Sequence, residues 1–147
     1  MTHSKFNIFI NPKNISVNDR GFNYGDGLFE TILVKDSKVK YFRDHIDRLY
    51  AGCHILNINK PSRSILLDSI KKAIGKNKDC IIKIILSRGC SVLGYKFAKD
   101  IKHNLYLIKS QKVPQSSREA TVKLKFSNYR IFENSFLYRG RTNGQKQ

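Results

Sequence analysis

The chain has 147 residues, of which 40% are hydrophobic and 11% aromatic; this suits one domain with a buried core and excludes a disordered composition. Its 28 lysines and arginines against 11 acids give a net charge of +17, which favours polyanions, but the cations are scattered as on a lysine-rich solvated surface, with no arginine-rich block, RNP-type motif or zinc-finger spacing. No apolar run nears the ~20 residues that span a bilayer, and residues 1–5 lack an apolar signal core, so a cytoplasmic protein is expected.

Residues 6–10 alternate apolar and polar and predict a first strand, stopped by Pro12, which has no N–H to donate. Residues 15–18 read as short and extended. Residues 20–27 hold three glycines and predict a loop or tight turn. Residues 28–34 are a β-branched strand, Asp36 and Ser37 turn the chain, and residues 39–42 return as its hairpin partner. Asp44, with Asp47 three residues on, approximates a capping box. Ile46, Leu49, Tyr50, Cys53 and Leu56 follow at helical spacing, and Gly52 inside that helix leaves room for another element. A second helix opens at Pro61 and Ser62, carries Leu66, Ile70, Ala73 and Ile74, and ends at Gly75. Residues 80–86 are a strongly apolar strand, followed by a turn at 88–91, and residues 104–108 and 121–126 predict further strands. Strands, two helices, then strands imply an α+β fold, with both helices packed on one face of a mainly antiparallel sheet.

Residues 1–138 read as one domain. Ile131, Phe132, Phe136, Leu137 and Tyr138 call for a packing partner, such as a further domain or a second subunit. Residues 139–147 hold no apolar side chain and are expected to fray. Cys53, Cys80 and Cys90 show no CxxC spacing, so neither a disulfide framework nor a zinc site is expected. Cys53 reads as a small apolar residue on a helix face.

Three stretches are suited to chemistry. In the first, Asp19 to Thr31, glycines flank Asp26 ahead of a strand, so the backbone turns sharply and exposes the strand's start. In the second, His45-Ile46-Asp47-Arg48-Leu49, Ile46 and Leu49 face the core and Arg48 points elsewhere. Its fork of donors suits a phosphate; the structural alternative is an ion pair with Asp44 or Asp47. His45 is either a ligand or base, or a structural residue at a helix start. The third, Ser87 to Tyr95, carries Arg88-Gly89 and, after a spacer, Gly94-Tyr95.

Together these stretches resemble the N-terminal half of the class-IV aminotransferase and lyase family, the fold-type IV pyridoxal-phosphate enzymes. The resemblance runs from residue 5 to about residue 138, about half of a typical member. Within the family the motifs are most similar to those of the aminodeoxychorismate lyases, and the branched-chain and D-amino acid aminotransferases share them. The resemblance implies pyridoxal 5′-phosphate as cofactor, with Arg48 on its phosphate. It implies a small-molecule substrate in a pocket walled by Phe29, Arg88 and Tyr95, and homodimeric pairing of intact relatives. Leu93 stands where relatives carry an arginine that helps hold a substrate carboxylate, which leucine cannot do.

The family's chemistry needs a lysine that bonds the cofactor aldehyde and an acid beside the pyridine nitrogen. That lysine, usually within Lys-Thr-Leu-Asn, falls near Arg141-Thr142-Asn143, and arginine is a poor nucleophile because it stays protonated. Lys146 sits in a different local pattern. The chain is therefore expected to lack the Schiff-base lysine and the C-terminal cofactor-binding domain, and to be inactive alone. Two other functional classes fit less of the sequence: a nonspecific nucleic-acid binder resting on the charge, and a non-catalytic partner that completes another chain's site.

Overall fold

Strand alternation decides which face is buried. The computed structural model describes residues 5–77, 79–111 and 123–128. In chain order its elements are β1 (Phe6–Ile10), α1 (Arg20–Tyr24), β2 (Gly27–Lys35), β3 (Lys38–Val39), α2 (Phe42–Leu56), α3 (Arg63–Ile74), β4 (Cys80–Ser87) and β5 (His103–Ser110). The sheet order is β1-β5-β4-β2-β3. Its pairs are antiparallel except β1 with β5.

Register aligns the buried phase across the sheet. Ile32 stands opposite Ile82, and Ile84 opposite Leu107. These side chains, with Val34, Leu86 and Leu105, are fully buried. Against them lie Ile46, Leu49 and Cys53 of α2 and Leu66, Ile70 and Ala73 of α3, all in one apolar cluster. Each large side chain buried there contributes about 1.5–3 kcal/mol. The fold is thus α+β, with both helices on one face of a mainly antiparallel sheet. Burial pushes the Cys53 thiol up to about 11, so it stays protonated and packs as a small apolar group.

The second predicted helix has the caps its sequence implies. Ser62 Oγ accepts from the Ile65 amide at 3.2 Å, and Gly75 follows the last turn at a φ of 60°. Gly52 does admit another element: a Cβ there would stand 2.6 Å from Leu28 Cδ2 of β2.

Three local expectations change. Residues 20–27 are not simply a loop, because Arg20–Tyr24 make a helical turn. Asp19 Oδ1 accepts from the Gly21 amide at 2.8 Å, and Gly25 closes the turn at a φ of 63°. Capped at both ends, so short a turn tolerates its glycine. Second, α2 begins at Phe42, with left-handed Tyr41 before it and no side-chain cap, so Asp44 lies inside the first turn. There its charge suits the positive end of the helix. The return strand is correspondingly only Lys38–Val39, because Asp36 and Ser37 both adopt positive φ and close a tight hairpin. Third, residues 123–126 form no strand, and Leu124 and Phe126 are almost fully exposed. Residues 121 and 122, and the apolar stretch and tail expected at 131–147, lie outside the described residues. Among the described residues, no helix is long and apolar enough to cross a membrane.

Candidate cofactor and substrate site

Glu30 is the one acid in the β2 sequence. It falls in the strand's buried phase and is 2% exposed, which requires a partner because an unpaired buried charge is strongly disfavoured. α2 supplies two. Arg48 donates from Nε to Glu30 Oε1 at 2.6 Å and from Nη2 to Oε2. His45, one turn earlier, places Nδ1 2.7 Å from Oε2. The spacing of three residues puts both side chains on the same helix face.

The hydrogen bonds that Arg48 donates to Glu30 hold its guanidinium protonated, above its already high ordinary range. Arg48 therefore pairs with Glu30, while Asp47 pairs with Arg63 at 2.8 Å and Arg43 at 3.7 Å. The Arg48 side chain is 38% exposed. Among the described residues Nη1 has no acceptor, so that edge of the fork points outward with its direction fixed by Glu30.

A second carboxylate, Asp19, organises the same end of the sheet. It is buried, and its Oδ2 accepts from Ser87 Oγ at 2.8 Å, Asn104 Nδ2 at 2.7 Å and Tyr106 Oη at 2.7 Å. Burial, and then the contact with Asp19, push the Tyr106 phenol upward, so it remains a donor.

Asp26 is the third. Its Oδ2 accepts from both Arg20 Nε and Arg88 Nε at 2.8 Å. Burial opposes the charge, but the bonds from Arg88 and Arg20 outweigh it and hold the carboxyl below its ordinary 3.8. Arg88 is buried; its Nη1 and Nη2 donate to the Asn57 and Leu56 carbonyls at the end of α2, at 3.1 and 2.6 Å.

A cleft of about 300 Å³ opens on the sheet face away from α2 and α3, with Phe22, Phe29, Lys83, Ile85, Tyr106 and Ile108 among its lining. Phe29 lines it; Arg88 and Tyr95 do not. Tyr95 projects outward, its ring 5.4 Å from that of Tyr24, and Leu93 is exposed nearby in sequence. Phe29 and Glu30 are consecutive on β2, so the cleft and Arg48 lie on opposite faces of that strand. Both residues belong to the part of β2 that β3 leaves uncovered, since β3 pairs only with Val34 and Lys35.

The structure thus gathers Arg48, His45 and Glu30 in one cluster and joins Arg88 to Asp26 and Arg20 in another. Sequence reasoning singled out Arg48 and Arg88, noted Asp26 only for its flanking glycines and not as a partner of Arg88, and did not single out Glu30. A lone acid in the buried phase of an apolar strand was the available signal for Glu30.

These features define an α+β domain that presents a braced arginine and an exposed aromatic ring at the open edge of its sheet. The chain belongs to the class-IV amino-transferase family, whose model matches residues 27–140. It is 37% identical over 81 residues to an aminodeoxychorismate lyase of Vibrio harveyi, covering 55% of this chain and 30% of that protein. It is 31% identical over 64 residues to a D-alanine aminotransferase of Listeria monocytogenes, covering 43% and 22%. A solved 4-amino-4-deoxychorismate lyase from Pseudomonas aeruginosa superposes with a TM-score of 0.58 at 31% identity, covering 69% of this chain and 36% of that one. The chain spans about a third of that structure and of the Vibrio protein.

Proposed function

We propose that the chain supplies the phosphate-holding and substrate-framing part of a pyridoxal-phosphate enzyme of the lyase type. The reaction of the intact enzyme would be elimination of pyruvate from 4-amino-4-deoxychorismate, leaving 4-aminobenzoate for folate synthesis. The likeness to two lyases at 31% identity or more supports this choice. The likeness to a D-alanine aminotransferase keeps amino-group transfer as the second reading.

The observation that carries the proposal is the Glu30–Arg48 pair. Two nitrogens of the fork are held by the buried carboxylate, and Nη1 is left for an external oxyanion. A phosphate fits that donor set, because arginine binds it through directed, charge-assisted hydrogen bonds. When bound, pyridoxal phosphate supplies the electron sink for the elimination. Arg48 would hold its phosphate, with His45 bracing Glu30 beside it. Phe29 offers an apolar wall, Tyr95 an aromatic one, and Arg88 supports the segment bearing Tyr95. The Schiff-base lysine is not among these residues, and Arg141, which stays protonated, would not replace it. Homodimerisation and a cytoplasmic location belong to the same proposal.

Titration with pyridoxal phosphate and with pyridoxal, followed by calorimetry, tests the role of Arg48. The phosphorylated form is expected to bind at least tenfold more tightly, and Arg48→Met to abolish the difference. Equal binding of the two forms by the unaltered chain would overturn the assignment. Borohydride treatment with pyridoxal phosphate is expected to leave no single dominant modified lysine.

A further inference from the structure

We propose that Asp26 is a positioning residue that locks the 91–97 segment onto the end of α2, so that the helix carrying Arg48 and the segment carrying Leu93 and Tyr95 move as one unit. The relevance of this lock to catalysis rests on the functional reading above, in which those residues serve one site. The lock itself rests on geometry.

Arg20 and Arg88 would repel each other if brought together alone. One oxygen, Asp26 Oδ2, stands between them at 2.8 Å from each Nε. Their remaining donors are then directed in different directions. Arg88 reaches back to the carbonyls of Leu56 and Asn57. Arg20 reaches forward, donating from Nη1 to Gly94 O at 2.6 Å and Lys96 O at 3.2 Å, and from Nη2 to Tyr95 O at 3.2 Å. Three successive carbonyls of the segment are thus held by one guanidinium.

Phe97 completes the arrangement. Its ring centroid lies 4.3 Å from Arg88 Cζ and 5.2 Å from Arg20 Cζ, within the range of cation–π attraction. At the segment's start Ser91 N donates to Asn18 O at 3.0 Å, and its other hydrogen bonds are local, with Ser91 Oγ donating to Lys96 O at 3.4 Å. Lys96 N donates to Leu93 O, and Leu93 N to Ser91 Oγ, both at 3.2 Å. The Ser91 bond anchors the segment's start, and the local bonds do not fix where residues 94–96 sit on the domain; the Arg20 guanidinium does.

Arg88 is buried and each of its three nitrogens already donates within the chain, so it is poorly placed to hold a substrate carboxylate. Together with leucine at position 93, this shifts substrate contact on the segment to the exposed Leu93 and Tyr95 side chains. The arginines act through the backbone they hold.

Amide hydrogen exchange of the full 147-residue chain tests the lock. Asp26→Asn keeps the shape and removes the charge. It is expected to speed exchange at Leu93 and Lys96 at least tenfold, while Ile84 and Leu105 in the sheet change less than twofold. Arg20→Lys keeps the charge but loses the fork, and is expected to release the same two amides; it also serves if Asp26→Asn does not fold. Unchanged exchange at Leu93 and Lys96, or an equal rise in the sheet amides, would overturn the proposal. The measurement requires no cofactor. Failure of Arg48→Met to affect phosphate binding would therefore count against the functional reading and leave this result standing.

Discussion

At the scale of single residues, the arrangement depends on which member of an ion pair is buried. Glu30 is 2% exposed, whereas the Arg48 side chain is 38% exposed. Removing the arginine leaves a buried carboxylate with only His45 beside it, whereas removing the acid leaves an arginine that can turn to water. Arg48→Met is therefore expected to lower stability by about 3 kcal/mol, and Glu30→Gln by about 1 kcal/mol, since the amide oxygen still accepts a bond. Urea unfolding of the two variants checks the order; equal losses would mean that Glu30 is better hydrated than its burial indicates. Sequence identified Arg48 through the pattern around His45. It did not identify Glu30 as the partner, because the two are 18 positions apart and only the packing of α2 on β2 brings them together.

At the scale of elements, glycines report how closely segments approach. Gly52 lies where α2 meets β2, and an added Cβ would strike only the end of the Leu28 side chain. Alanine there improves helix propensity by about 1 kcal/mol but overpacks by about 1–3 kcal/mol. Gly52→Ala is expected to destabilise by less than about 2 kcal/mol, and by less still when introduced into a Leu28→Ala background than into the unaltered chain, as urea unfolding of the four proteins will show. Gly89 is different. Its φ is 114°, and a Cβ would stand 2.0 Å from the Lys102 carbonyl oxygen, which is backbone and cannot rotate away. Gly89→Ala is expected to cost more than about 3 kcal/mol and to have no side-chain rescue, as thermal or urea unfolding will show.

The element scale also shows what the sequence disclosed. Gly52, Ser62 and Gly75 were legible because each answers to a local rule of spacing or capping. The start of α2 was not, because Tyr41 adopts a left-handed conformation and makes no side-chain cap. The parallel pairing of β1 with β5 was equally hidden, since Asn7 meets Asn104 across 97 positions and no local pattern carries that register.

At the scale of the whole molecule, the net charge of +17 and the Asp26 carboxylate respond differently to acid. Protonating the acids of so basic a chain increases its self-repulsion, a diffuse effect that salt screens. Asp26 responds locally. Its carboxyl is held below 3.8 in the folded chain by Arg88 and Arg20 against the opposing effect of burial. A carboxyl depressed by folding contributes stability that is present above its unfolded value and lost as pH falls through its folded value. The advantage of the unaltered chain over Asp26→Asn should therefore hold from pH 7 down to about 4, near the ordinary carboxyl value, and shrink below it. Added salt should raise the urea midpoints of both proteins in acid, because it screens the diffuse repulsion they share. It should leave the gap between them nearly unchanged at neutral pH, because the Asp26 side chain is only 15% exposed and its bonded arginines are screened far less than surface charges. Urea midpoints at pH 7, 5 and 3, each at low and high salt, separate the two effects. A gap that closed with salt at pH 7 would make Asp26 one more surface charge and remove its local contribution to holding the 91–97 segment against α2.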